Sequence, residues 1–227
     1  MEGAKRSFGR PSVPRKIITL THLRTFGAYA FSDAVPFVRL RTIWRIFMEF
    51  YGLLRFSEVS DLTFDDLTWT STGLDIFVRR SKTDQHAKGN FVSLNYNSDV
   101  ILCPVRLTIK YIKMLNCNTG FLLPIMSSKK PDCAVKLKYN TALTDFKTLF
   151  KFFNMDPSGY GEHSGRRGGT TAAAAAGADI NELKLQGRWL SDSMTRHYTD
   201  NAVKLRRDFA ARLANIKEIV FYICIFY

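Results

Sequence analysis

The chain has few of the features that would place it outside the cell or in a membrane. It has only four cysteines in 227 residues, Cys103, Cys117, Cys133 and Cys224, with no CxxC pair and no cysteine–histidine cluster at zinc spacing. That scarcity argues against a disulfide scaffold and predicts four free thiols in a reducing compartment. No stretch approaches the roughly 20 apolar residues that span a bilayer. The N-terminus has charge and proline but no apolar centre of the secretory kind. No internal repeat is present. Acidic residues are also short, with 20 Asp and Glu against 33 Lys and Arg, a formal net charge of +13. A chain this basic ordinarily meets a polyanion, most often nucleic acid.

What remains is enough for a core: 46% of the residues are apolar, and the length suits one domain with a short extension. Residues 1–17 read as a flexible basic arm carrying Lys5, Arg6, Arg10, Arg15 and Lys16. Residues 18–215 read as one continuous globular module, and residues 216–227 as an apolar tail. Helical spacing marks Thr19–Ala30, with Thr19 or Thr21 as N-cap, then Pro36–Leu54, Ser57–Asp61, Pro104–Leu115 and Leu137–Phe153. A further run of helices follows Gly168, broken near Gly177 and between Gly187 and Leu190. Leu62–Thr70, Leu74–Arg80 and Phe91–Leu94 read as three strands. The fold class is mixed α+β, mainly helical. The alanines Ala172–Ala176 suit a tightly packed helix.

Six residues carry chemistry: Arg55, Lys82, His163, Arg166, Trp189 and Tyr198. Taken singly, each has an ordinary structural reading, Trp189 as core and Lys82 as a loop lysine. Taken as a set, they suit attack on a phosphodiester. Such a transition state gathers negative charge on the equatorial oxygens, and fixed cations must meet it. A planar guanidinium matches two oxygens and keeps its charge, which points to Arg55 and Arg166. A phenol can serve as nucleophile when cations lower its pKa or a base takes its proton. Lys82, in a loop just past a strand, can protonate the departing 5′ oxygen.

These residues fall in motifs that resemble the tyrosine recombinase (phage integrase) family. Tyr51-Gly52-Leu53-Leu54-Arg55-Phe56-Ser57-Glu58 resembles its first arginine box, and Leu62-Thr63-Phe64-Asp65-Asp66-Leu67 the strand entry after it. Arg80-Ser81-Lys82-Thr83 is similar to its hairpin lysine motif, and His163-Ser164-Gly165-Arg166-Arg167 to its His-x-x-Arg box. Gly187-Arg188-Trp189, with Tyr198 nine residues after the tryptophan, resembles the last box and the nucleophile. A similar Gly-Arg-Trp-x-Ser-Asp box occurs in recombinases of Crypton and DIRS mobile elements.

The resemblance implies a catalytic-domain fold with a small three-stranded antiparallel sheet, and strand exchange through a covalent 3′-phosphotyrosine. It implies no metal, no ATP and no other cofactor. Arg55 and Arg166 would clamp the scissile phosphate, and Glu58, three residues along a helix, would orient Arg55. His163 would assist the proton or the phosphate. Trp189 stands where many members carry a second histidine. His197 would pack or touch a phosphate, and Tyr198 would attack phosphorus. Double-stranded DNA and further protomers in a tetrameric synapse are the implied partners, with no membrane, and the place of action is intracellular, with DNA. A decayed recombinase that only binds DNA, and a relaxing enzyme of the type IB topoisomerase kind, are the alternatives.

Three departures stand out. Gly165 replaces a usual apolar residue and Gly168-Gly169 follow, which predicts extra backbone freedom in the box. Only a short arm precedes the module, where most members have a helical domain that closes a clamp. The tail, Ile219–Tyr227, suits either a plug packed on a neighbouring protomer or a short strand or helix folded back on its own module. Without a clamp, DNA binding should be weak and steeply salt dependent. Fluorescence anisotropy with duplex DNA should give a log–log slope against salt steeper than about −3, as neutralising some four phosphates requires. A slope near zero would count against a DNA partner.

Overall fold

The computed structural model describes residues 15–80 and 89–189. The arm up to residue 14, Lys82, His197, Tyr198, Cys224 and the tail lie outside the described residues.

Helix α2, Phe37–Tyr51, is the axis of the molecule. Every residue from Leu40 to Phe50 is buried, so this helix presents no solvent face and is packed on all sides. Around it stand α1 (Leu20–Ala30), α3 (Phe56–Asp61), α4 (Pro104–Leu115), α5 (Tyr139–Phe152) and α6 (Ser164–Ala175), with α7 (Ile180–Gly187) against α6. A helix buried all round must also satisfy its polar side chains. Trp44 donates from Nε1 to Thr108 Oγ1 at 3.0 Å and stacks on Tyr111 at 4.6 Å. Arg41 donates to Asp145 at 2.6 Å and to the Pro124 carbonyl, and Arg45 pairs with Glu49 at 2.6 Å. Each charge is thereby met by a partner, the condition for tolerating it inside.

The helix starts and stops follow local rules. Thr19 caps α1, and the side chain of His22 returns a bond to the Thr19 backbone N–H at 3.1 Å. Pro104 opens α4, where a missing N–H costs nothing. The helices expected between Thr19 and Phe153 all form, within two or three residues at their ends, while α6 starts at Ser164, ahead of the Gly168 expected to open the last run.

The three-stranded antiparallel sheet has the order β1-β2-β3, from Leu67–Trp69, Gly73–Val78 and Asn90–Asn95. Leu74 and Ile76 face Leu94 and Val92 across the ladder, and all four point into the core. The strand expected over Leu62–Thr70 is mostly absent. Phe64–Asp66 forms a 3₁₀ turn because the Asp66 carboxylate accepts from the Thr63 N–H and hydroxyl, at 2.8 and 2.9 Å. That local bond competes with the ladder. A second hairpin, β4 (Pro124–Ser127) with β5 (Lys130–Lys136), was not expected. Its turn puts Ser128 and Lys129 at φ 48° and 67° without a glycine, and most of β5 is exposed, so neither turn chemistry nor alternation marked it.

The expectation of four free thiols needs correcting. Cys117 and Cys133 form a disulfide, while Cys103 is a buried free thiol. The pair is brought together by tertiary folding: the Phe121 N–H donates to the Cys133 carbonyl at 2.7 Å, laying β5 beside the chain that leaves α4.

The glycines of the His-x-x-Arg box also act differently from the expected loosening. Gly165, Gly168 and Gly169 all lie inside α6 and are buried. A Cβ on Gly168 would sit 1.9 Å from the Ile18 carbonyl oxygen, and one on Gly169 would sit 1.9 Å from that of Phe50. They let α6 press against backbone, which fixes the box rather than freeing it. Gly169→Ala should therefore cost about 1–3 kcal/mol or more as α6 is pushed from α2, read by urea denaturation. A neutral result would show that the close approach is dispensable.

Candidate active site

Three chain segments meet at one end of α2. The first is the turn Gly52-Leu53-Leu54, which leads from α2 into α3. The second is the first turn of α6, and the third is the end of α7. Leu53 adopts a left-handed conformation, φ 47°, and so does Arg188 just past α7, φ 55°. Both are uncommon for residues with a Cβ. They place the Leu53 carbonyl, which accepts from Arg166 and Arg188, and the Arg188 side chain where the three segments meet.

At that point is the Glu58 carboxylate, whose side chain is only 2% exposed. Arg55, the residue before α3, donates its backbone N–H to Glu58 Oε2 at 2.8 Å and its Nη1 to Oε1 at 2.6 Å. Arg188 donates Nη2 to Oε2 at 2.6 Å. Arg166 stands 3.7 Å from the same oxygen. Three guanidinium groups thus converge on one carboxylate in a largely dry site.

Each arginine is held differently. Arg166 donates to the carbonyls of Leu53 and, at 2.5 Å, Gly187, and its guanidinium lies 4.8 Å from the centre of the Trp189 ring. Arg188 also donates to the carbonyls of Gln186 at 2.8 Å and Leu53 at 3.1 Å. Arg55 is the outward one: its side chain is 11% exposed, and among the described residues Nε and Nη2 have no partner. These two nitrogens form a fork able to meet two oxygens of an anion.

His163 caps α6 and is exposed. Lost hydration on one side of the ring lowers its pKa from 6.5. Arg166, Arg55 and Arg15 act the same way, against Glu162. At neutral pH the imidazole is therefore uncharged and can take a proton. Trp189 is buried with Leu53, Ala174 and Leu183, as its ordinary core reading has it, and its ring also meets the Arg166 guanidinium. Gly187 has no Cβ because the Trp189 ring fills that space, with its nearest carbon 2.5 Å away.

The expected residues Arg55, Glu58, His163, Arg166 and Trp189 are therefore brought together. Lys82, His197 and Tyr198 lie outside the described residues. Sequence reasoning gave Arg188 no role, although it quoted the residue inside the Gly-Arg-Trp box. The available signal was an arginine between a helix-ending glycine and an apolar ring. Among the described residues, no three His, Cys, Asp or Glu side chains gather into a metal site, and no helix is long and apolar enough to cross a membrane.

This arrangement, with a small antiparallel sheet beside a buried central helix, is the catalytic-domain fold of the tyrosine recombinases. The sequence resemblance to that family holds as well. The chain is 28% identical over 176 residues to the integrase/recombinase XerD homolog of Selenomonas ruminantium, across 75% of this chain and 50% of that protein. It thus spans about half the length of the relative it matches. XerH recombinase, in a post-cleavage complex with a palindromic difH substrate, superposes with TM-score 0.64 at 16% identity, over 91% of this chain and 56% of that one. XerA recombinase gives 0.64 at 15% identity, over 90% of this chain and 68% of that one. The Tn1549 transposon integrase, in complex with transposon right end DNA, gives 0.59 at 20% identity, over 92% and 68%. No family model matches the chain.

Burial alone would raise the Glu58 pKa. Arg188, the Arg55 backbone N–H, and the Arg55 and Arg166 guanidiniums outweigh it and hold the pKa below 4.5. The folded state then binds this proton more weakly than the unfolded chain. The stabilisation is fully present above pH 4.5 and is lost as pH falls through the folded value. Glu58→Gln should remove that part of the acid dependence and cost about 3–5 kcal/mol near neutral pH, since the arginines would face one another without their anion. Urea denaturation from roughly pH 3 to 7 reads both effects. An unchanged pH slope would show that Glu58 is not the anchor.

Proposed function

We propose that the chain is the catalytic part of a tyrosine recombinase, which cleaves and rejoins strands of double-stranded DNA through a covalent 3′-phosphotyrosine. The observation that carries this reading is the pair Arg55 and Arg166 converging on Glu58, with Arg55 Nε and Nη2 left without a partner among the described residues. A phosphodiester bears one negative charge and develops more on its equatorial oxygens. Cations already fixed in place meet that charge without reorganising, which is where such sites gain most of their rate. The net charge of +13 supports a DNA partner.

In this reading the phenol of Tyr198 attacks phosphorus. The Tyr198 oxygen–phosphorus bond forms, the bond to the 5′ oxygen breaks, and that oxygen leaves with a proton from Lys82. His163, neutral at working pH, takes the phenolic proton or donates to a phosphate oxygen. Trp189 can donate one hydrogen bond through its indole N–H but cannot titrate. Its ring also holds Arg166 in place. One phosphoester replaces another, so the exchange is nearly balanced and asks for no ATP and no metal. Rejoining reverses the steps with a new 5′ hydroxyl, and four protomers on two duplexes would complete an exchange. The site of action is wherever the cell or host keeps its DNA.

The alternative of a decayed DNA-binding module rested partly on the glycine-rich box. Because Gly165, Gly168 and Gly169 pack α6 tightly, that box offers it no support. To test the proposal, the chain is incubated with nicked duplexes of randomised core, and the covalent fraction is recovered for mass spectrometry. The expected conjugate is a peptide joined to DNA through Tyr198, absent with Tyr198→Phe. Equal adduct from the Phe variant would overturn the assigned nucleophile.

A further inference from the structure

We infer that Arg188 is a positioning residue for the strand-transfer reaction, setting how Arg55 is presented to the phosphate. This rests on the recombinase reading above. Three observations carry it. First, the Arg188 side chain is 2% exposed, too deep to be an outward-facing ligand for DNA. Second, its guanidinium joins three segments. It donates to the Gln186 carbonyl at the end of α7, to the Leu53 carbonyl in the turn after α2, and to Glu58 on α3. Third, it occupies Glu58 Oε2, which the Arg55 backbone N–H also reaches, while the Arg55 side chain holds only Oε1.

The third point decides the function. A carboxylate with both oxygens open to one guanidinium tends to form a two-bond fork with it. Arg188 takes the second oxygen and keeps the Arg55 side chain to a single bond through Nη1. The Arg55 Nε and Nη2 edge then stays directed outward, where an anion can use it. Without Arg188, Arg55 would turn inward to satisfy the whole carboxylate and withdraw its donors from the phosphate. The backbone agrees with a dedicated role. Arg188 is held at φ 55°, a conformation that costs most residues about 1 kcal/mol or more. Glycine would be at ease there but could not carry the guanidinium.

The test uses the duplex recovered by covalent trapping, synthesised in two forms. One has the normal scissile phosphodiester. In the other, one non-bridging oxygen is replaced by a methyl group, giving a neutral methylphosphonate. Adduct formation in a single turnover is timed for wild type, Arg188→Gln and Arg55→Gln, with duplex affinity measured alongside. If Arg188 acts through Arg55 on the phosphate charge, Arg188→Gln slows the normal linkage at least about tenfold, the scale of a displaced catalytic donor. The defect narrows to within about threefold on the neutral linkage, in parallel with Arg55→Gln. An equal defect on both linkages, or none on either, overturns the inference and leaves Arg188 a structural residue. If Arg188→Gln does not fold, Arg188→Lys takes the same two measurements. It keeps a charge for Glu58 but lacks the fork that bridges the carbonyls, and the same criterion applies. Absence of wild-type adduct on either linkage would instead sink the recombinase reading itself.

Discussion

A single buried carboxylate facing three guanidinium groups is the constraint on which the rest of this site depends. Like charges packed together in a dry interior repel strongly, and only an opposing charge makes the cluster tolerable. Glu58 supplies one negative charge for three positive ones. Cations fixed in this way form a site complementary to an anion before the anion arrives. The protein has fixed Arg166 and Arg188 through backbone carbonyls at Leu53, Gln186 and Gly187. None of these acceptors can titrate, so this part of the anchoring does not itself change with pH.

The scaffold explains how such a cluster is kept rigid. Helix α2 is buried on every side and ends at the turn that presents Leu53 and Arg55. Helix α6 approaches the end of α2 closely because Gly165 and Gly169 remove the Cβ atoms that would meet Glu49, Phe50 and Leu53, while Gly168 lets it press on the Ile18 backbone. The Trp189 ring lies over Arg166, with Gly187 vacating its space. The glycines on α6 thus shape the arginine cluster indirectly. They let two backbones approach until an arginine on one can donate to a carbonyl on the other. The same logic accounts for the positive φ at Leu53 and Arg188, where local strain is accepted because the surrounding contacts fix the turn.

Several elements were readable from residue order alone and others were not. The helix over Pro104–Leu115 was legible from its proline start and apolar spacing, and α1 from its threonine cap. The sheet was legible from β-branched and aromatic runs. The hairpin β4–β5 escaped because its turn uses serine and lysine at positive φ and its second strand is mostly exposed. The 3₁₀ turn at Phe64–Asp66 escaped because apolar content suggested a strand while an aspartate side chain was capturing the backbone. The Cys117–Cys133 pairing depends on β5 folding beside the exit from α4, which no spacing rule contains.

The amino-acid order by itself determined the identity and sequence of the chemical groups. Two arginines, a histidine and a tryptophan fall at intervals that resemble one family, in a chain whose charge suits a polyanion. That much is legible because side-chain chemistry belongs to the residue and survives any uncertainty about contacts. Tertiary structure decided how those groups are used. Only folding could show that Glu58 gathers three guanidiniums, that Arg188 is one of them, or that the glycines tighten the box rather than loosen it. The physical reason is that charge balance, burial and close approach are properties of neighbours in space. The residues that meet at Glu58 come from positions 53, 55, 166 and 188, far apart along the chain.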